Sequence, residues 1–466
     1  MPQTRIYNQE GVNLFINPLI KKESELLRAV NVDTYPYGAK SKRPGYVTFL
    51  GTADGSAVNS LFSWQRANGT EVHVFRASGT TIWQSYQGTG AWTARHEITA
   101  DAHVSHAVLD DKLFVAYGGT VHYTTDGTTF TEGSVAPLAV DVVEYQNRIY
   151  ACGTASTLFY STAGDGTNWS TSGTADSSSF TIPGEGKLIR AIKVSDRLVS
   201  AKNSGVLHRW DGYQLSDMAN NQGPSSPNSI AQKNGFYFWL NYDGLYGYGG
   251  ARPELVSNAI QPQFYNNLGS AMAGTAFLNA PAVVSRNSYY VYQGNTTDDI
   301  TYEPITNSMA KYDIMFNQFT NYQLANSPTA MHSYTDTSGI ENFIFSSGNQ
   351  CYKFSGTTLS DNNSPIPVSL LYQIMTDAPE REKEFKEIDL FFNPGNQAKV
   401  AFAVGNSFSP NSLKWQEIGD CSEGHAHYRF PKGTRGRIIF IRIYESSTNS
   451  QFKFYGMTIE YEFIKK

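Results

Sequence analysis

The sequence is poor in charge. Of 466 residues only 17% are Asp, Glu, Lys or Arg, and the 36 basic side chains are outnumbered by 41 acidic ones, for a net charge of −5. An ordinary soluble domain carries about 25% charged residues, so long solvated helices and a disordered polyelectrolyte are both excluded. Duplex binding needs clustered Lys and Arg against phosphate, and the only basic run is Lys40-Ser41-Lys42-Arg43. It reads as a solvated corner, or as a contact for a partner's acidic face. The three cysteines, Cys152, Cys351 and Cys421, form no C-x-x-C pair, which excludes a zinc ribbon and a disulfide framework and leaves buried thiols. No apolar run approaches the ~20 residues of a membrane span, and the first residues lack the basic-then-apolar order of a secretory leader. The expectation is a soluble chain made in the cytoplasm, in which the sequons at Asn68, Asn168, Asn295 and Asn362 are chance.

What is abundant is aromatic, at 14%, together with 40 Gly and many Asn, Asp, Ser and Thr. Tyr, Phe, Trp and Thr suit a pleated, half-buried surface, and Gly, Asn and Asp tolerate the positive φ of tight corners. The chain is all-β by composition.

The strands recur in blocks. Val143 to Ser170 runs as strand, polar corner at Gln146-Asn147, strand through Cys152, third strand at Leu158–Ser161, then Gly164-Asp165-Gly166 before Trp169. The preceding block keeps the same order, with Asp110-Asp111 at the first corner and Asp126-Gly127 before Phe130. Weaker copies occupy Leu61 to Trp92, Ile189 to Tyr213, Ser229 to Tyr248, Val283 to Tyr322 and Met331 to Phe354. A block of short strands repeating every ~40 residues predicts a β-propeller, here of about seven blades, whose small sheets bury their faces only against one another.

Outside the repeats the grammar changes. Residues 1–50 read as an extended arm with a short surface helix over Lys21 to Ala29 and a turn at Tyr35-Pro36-Tyr37-Gly38, and 51–362 as the propeller. From Pro365 and Pro367 onward the strands lengthen and alternate, at Val368 to Met375, Phe385 to Phe392, Ala398 to Val404, Arg437 to Glu445 and Phe452 to Phe463, which predicts a separate C-terminal β-sandwich over 363–466. The mixed-charge run Glu380 to Glu384 reads as solvent-facing.

Chemistry-bearing patterns are weak. His103 and His106 fall on opposite faces of an extended strand and do not share a metal; His425 and His427, with Cys421 and Asp420 nearby, make the best metal constellation and lack a full ligand set. No P-loop, G-x-S-x-G or H-E-x-x-H occurs. Tyr123 to Phe130 and Tyr160 to Trp169 resemble the Asp-box of sialidase-type propellers, an architectural hairpin. The carboxylate-binding arginines of such enzymes cannot be picked from Arg66, Arg76, Arg148, Arg190, Arg197, Arg209, Arg252 and Arg286 by sequence. The expectation is a non-enzyme with no catalytic residue, no cofactor and no metal.

The opening GVNL, NPL, AVNVD and GAKSKRPGY, within Gly11 to Tyr46, and the stretch NGFYFW, YDGLYGYGG and PELVS, within Asn234 to Ser257, resemble tailed-bacteriophage virion proteins of the tail hub, nozzle and packaged-DNA stabilisation type. That resemblance implies a structural subunit of the virion tail or neck, made in the bacterial host cytoplasm, forming a homo-oligomeric ring of about six copies around the genome passage. Its partners would be other tail or neck proteins, with DNA only a passing, non-specific neighbour and no membrane in the mature particle. An acidic lining would repel phosphate and let the genome slide. The alternative is a receptor- or glycan-binding propeller of a tail fibre or lectin-like module.

Overall fold

The computed structural model describes residues 2–464 except 8, 15–20, 35–37, 173–175, 269–278, 298–302, 377 and 407–412. The NPL segment of the opening motif and Tyr35-Pro36-Tyr37 of the expected turn therefore lie outside the described residues.

Seven four-stranded antiparallel units follow one another along the described chain, five as separate sheets and two as parts of larger ones. They are blades 1 to 7, spanning 58–97, 105–132, 139–181, 188–219, 231–255, 282–323 and 330–355. The innermost strands are the first of each blade, Val58–Gln65, Ser105–Leu109, Ala139–Tyr145, Leu188–Val194, Ala231–Lys233, Ala282–Ser285 and Ala330–Thr335, and several pack directly on their neighbours. Apolar side chains gather between blades. Phe62 and Phe75 meet Leu113 and Val115 between blades 1 and 2, Phe114 meets Ile149 between 2 and 3, and Tyr150 meets Leu198 between 3 and 4. Val199 meets Trp239, Phe238 meets Tyr289, Tyr290 meets Phe343, and Ile344 meets Val74, the last joining blade 7 to blade 1 and closing the circle. A small sheet buries both faces only if a neighbour lies on each side, so the ring must close to be stable.

Closure comes from the N-terminus. Gly45–Thr48 is the fourth strand of blade 7, pairing Tyr46 with Phe354 and Tyr352 with Thr48. The fully buried Tyr46 ring lies edge-on to Phe345, 4.8 Å away. Gly45 is required there: a Cβ would stand 2.0 Å from the Ser360 carbonyl oxygen.

The remaining N-terminal residues are not a helical arm. Leu26–Val30 is a wholly buried strand where a surface helix over Lys21 to Ala29 was expected. It is inserted between the last strand of blade 6 (Val30 beside Asn321) and Val368–Ile374. The apolar residues Leu26, Leu27, Ala29 and Val30 cover both faces, a continuous run that periodicity does not distinguish from a short helix. Gln3–Ile6 and Lys40–Lys42 likewise pair with Lys453–Phe463. The sandwich is thus assembled from both ends of the chain. One sheet continues blade 6 through Leu26–Val30, Val368–Ile374, Ile438–Glu445, Lys399–Gly405 and Gln416–Asp420; the other orders Lys40–Lys42, Lys453–Phe463, Lys383–Phe392 and His425–Arg429. Ile388, Leu390, Ile441, Ile443 and Met457 fill the space between, in one cluster with Phe238 and Tyr289 of the propeller.

The basic run is interior. Lys40, Lys42 and Arg43 are all buried, against the expectation of a solvated or partner-facing corner. Arg43 makes a bidentate pair with Asp361 (2.8 and 2.5 Å), donates Nε to Asn31 Oδ1 at 2.7 Å and donates to the Gln323 carbonyl at 2.8 Å. Lys42 pairs with Glu445 at 3.0 Å. These bonds tie the N-terminal segment to blade 6, to the linker and to the sandwich. Lys383, in the run expected to face solvent, is also buried and donates to the Met375 and Ala378 carbonyls at 2.6 Å.

Candidate functional site at the propeller axis

The polar groups that converge from most elements lie where the innermost strands meet. Three of these strands carry a register shift at the same place, Val58/Ser60, Ala139/Asp141 and Leu188/Arg190. The shift lies at Ser60 and Asp141, which reach the next blade, and at Arg190, which faces back to Asp141 of the preceding one. Ser60 Oγ accepts the Val104 N–H at 2.8 Å, Ser105 Oγ accepts the Val142 N–H at 3.4 Å, and Asp141 Oδ2 accepts the Ala191 N–H at 2.6 Å. An innermost strand has an unpaired edge toward the axis, and these side chains satisfy its orphan donors. Asp141 also accepts from Ser105 Oγ at 2.5 Å and faces Arg190 at 3.4 Å. Burial pushes its carboxyl above the ordinary range, with Arg190 opposing the shift. It lies beside the buried Cys152, whose thiol burial pushes up further.

Three histidines surround this set. His103 Nδ1 lies 2.9 Å from Ser60 Oγ. His106 stacks on Phe62 at 5.1 Å and lies edge-on to His332 at 6.2 Å, whose Nε2 is 2.8 Å from Ser63 Oγ. Dehydration lowers the pKa of His103 and His332 to about 4 and of His106 to about 3, with His332, Arg190 and His103 adding to the last by like-charge repulsion. All three are neutral at pH 7. His103 and His106 thus meet the same charged neighbour, which their sequence spacing did not reveal because His103 precedes the strand. His332 and Ser63, from blades 7 and 1, had no signal in the sequence at all.

The other sequence candidates separate. His425 and His427 share the exposed face of the sandwich and both contact Asp389 Oδ1, at 2.9 and 3.1 Å, while Glu387 lies across the strand pair from Arg429. Cys421 points instead into the sandwich core, and Asp420 ends the strand Gln416–Asp420. Among the described residues no group of three His, Cys, Asp or Glu is placed to hold a metal ion. The arginines do not converge: Arg66 pairs with Asp111 at 2.9 Å, Arg76 with Asp54 at 2.6 Å, Arg148 with Asp176, and Arg190 faces the axis. The Asp-boxes are hairpin locks. Asp126 accepts the Thr128 hydroxyl at 2.6 Å and the Thr128 and Thr129 N–H groups at 2.8 and 2.9 Å, which together hold its carboxyl well below the usual range, and Gly127 takes φ +73°. Asp165 does the same for Thr167 N–H at 3.0 Å, and Asp211 for Gln214 N–H at 2.7 Å, a third copy that Trp210-Asp211-Gly212 could have revealed.

No helix among the described residues is long and apolar enough to cross a membrane. No curated protein matches the chain. Among solved structures it is similar to the extracellular domain of a one-component system from B. thetaiotaomicron, with 10% identity over 96% of this chain and 68% of that one and a TM-score of 0.47. It is also similar to YCF48 from Cyanidioschyzon merolae (10% identity, 66% and 98% covered, TM-score 0.43) and to BamB from Moraxella catarrhalis (11%, 76% and 97%, TM-score 0.38). Residues 63–192, from blade 1 into the first strand of blade 4, match the family model described as the DUF6242 beta propeller domain.

Proposed function

We propose that the chain is a structural subunit of a tailed-bacteriophage tail or neck, working as a rigid scaffold in a ring around the genome passage and without catalysis of its own. The observation that carries this reading is the resemblance of Gly11 to Tyr46 and Asn234 to Ser257 to such virion proteins. Two features favour it. The resembling segments build the joints of the molecule: the first supplies Leu26–Val30, Lys40–Lys42 and Gly45–Thr48 to sandwich and propeller, and the second builds blade 5. At the axis, Ser60, Ser105 and Asp141 are engaged in blade-to-blade hydrogen bonds, as a scaffold requires and a general base or nucleophile does not. The cations of the run Lys40-Ser41-Lys42-Arg43 are buried, which agrees with a passage that does not grip DNA through them.

Mass photometry and negative-stain imaging of the purified chain, with cross-linking of intact particles, test the proposal. A closed annulus whose mass is a multiple of 51.6 kDa, coaxial with a tail or neck, is the expected result. A chain that stays monomeric and cross-links to no particle component overturns it.

A further inference from the structure

Between blades 6 and 7, bordered by Asp33 and Pro44 of the N-terminal segment, lies a cavity of about 460 Å³. That falls within the range of small-molecule sites, ~300–1,000 Å³. Its inner wall is aromatic: Tyr290 and Phe343 have ring centroids 5.0 Å apart, and Phe343 and Phe354 4.6 Å. Its charges sum to zero once Lys233 is counted with the lining: two ion pairs, and Arg286 and Asp313 contributing one charge of each sign. Lys311 pairs with Asp33 and lies 5.9 Å over the Tyr290 ring, and Glu341 lies 3.6 Å from Lys233 while accepting the Arg286 N–H at 2.6 Å. Asp313 at the mouth accepts the Met315 and Phe316 N–H groups through Oδ1, both at 3.1 Å, and its Oδ2 has no hydrogen-bond partner among the described residues.

This combination narrows the ligand. Because the buried amine and carboxylates neutralise each other, a charged ligand would add an uncompensated charge to a partly dehydrated site. A wholly apolar ligand would strip water from Asp313 and Lys311 and give nothing back. A neutral ring with one C–H face and a rim of hydroxyls meets both requirements. We propose that the cavity between blades 6 and 7 binds a neutral sugar ring of a saccharide, its apolar face against Phe343 and Phe354 and its hydroxyls on Asp313 and the Ser285–Ser288 corner. The site stands independently of ring assembly: a monomeric chain would bind, and an assembled ring that binds no sugar would leave the scaffold reading intact.

Titration of the full chain with neutral monosaccharides and disaccharides (glucose, galactose, N-acetylglucosamine, rhamnose), read by ligand-observed NMR and calorimetry, tests it. At least one sugar binds, and Met315→Arg, which places a long charged side chain over the mouth from a position 67% exposed, weakens that binding at least ~10-fold with the melting temperature unchanged. Asp313→Asn weakens it also. No binding by any sugar at ~50 mM overturns the proposal, as does binding that Met315→Arg leaves intact, or a preference for an alkylammonium or a carboxylate ligand over every neutral sugar.

Discussion

Acidification tests the axial reading most directly. His103, His106 and His332 are held near pKa values of 4, 3 and 4 against an ordinary 6.5, because protonation would put a charge into a dehydrated space, which for His103 and His106 also faces Arg190. The unfolded chain takes up protons that the folded one refuses, so the stability these groups confer is complete above pH 6.5 and is lost progressively as pH falls toward 4. Each imidazole is worth roughly 2 to 3 kcal/mol between pH 7.5 and 4.5, and the three together at most ~8 kcal/mol, comparable to the whole stability of an ordinary domain. His96, lowered to about 4 by burial and by His122, adds a term away from the axis. Asp141 opposes them, since a carboxyl raised by burial gains stability as pH falls. Among carboxylates with lowered pKa, Asp126 and Asp336 act only near and below pH 3.8, outside the window, and Glu341 and Glu384 only near and below 4.5, at its lower edge. The assay is denaturant unfolding by tryptophan fluorescence at pH 7.5, 6.0, 5.0 and 4.5 for the native chain and for the triple variant His103→Asn, His106→Gln, His332→Gln. The native chain loses most of its stability across that range; the variant begins lower, through the lost stacking on Phe62, and falls by less than half as much. If the two curves run parallel, the histidines are not dehydrated at the axis and the packing described there is wrong.

Other perturbations report on closure and turns. Arg43→Leu strands the buried Asp361 carboxylate and should cost about 3 to 5 kcal/mol, seen as a lowered denaturation midpoint; Arg43→Leu with Asp361→Leu recovers much of it. Gly45→Ala drives a Cβ against the Ser360 carbonyl, so the fourth strand of blade 7 loosens and hydrogen exchange rises at Tyr46 and Phe354 ahead of the other blades. Asp126→Ala removes the lock of one hairpin and lowers stability by about 1 to 2 kcal/mol at pH 7, an effect that shrinks as acid protonates the native carboxyl, well below the usual carboxylate range.

The repeat was legible because a blade is a local object. Its strands are joined by tight corners, and the turn chemistry is written in adjacent residues: Gln146-Asn147 and Asp110-Asp111 all adopt positive φ, as does Gly127 after Asp126. The five long C-terminal strands were legible for the same reason, since the alternation in RIIFIRIYE fixes which side chains face inward. Leu26–Val30 was not, because a five-residue strand buried on both faces has no alternation to read.

The sequence by itself determined the all-β class, the propeller repeat, the buried thiols and the architectural Asp-boxes, since each follows from residues within one hairpin, one strand or one repeating block. Only the tertiary structure decided that the N-terminal segment closes blade 7 and enters the sandwich, that Lys40, Lys42 and Arg43 are interior, and that His103, His106 and His332 gather at the axis. Those outcomes depend on pairings between residues hundreds of positions apart, such as Arg43 with Asp361 and Lys42 with Glu445. Charge and hydropathy along the chain carry no information about which distant carboxylate will meet a given cation.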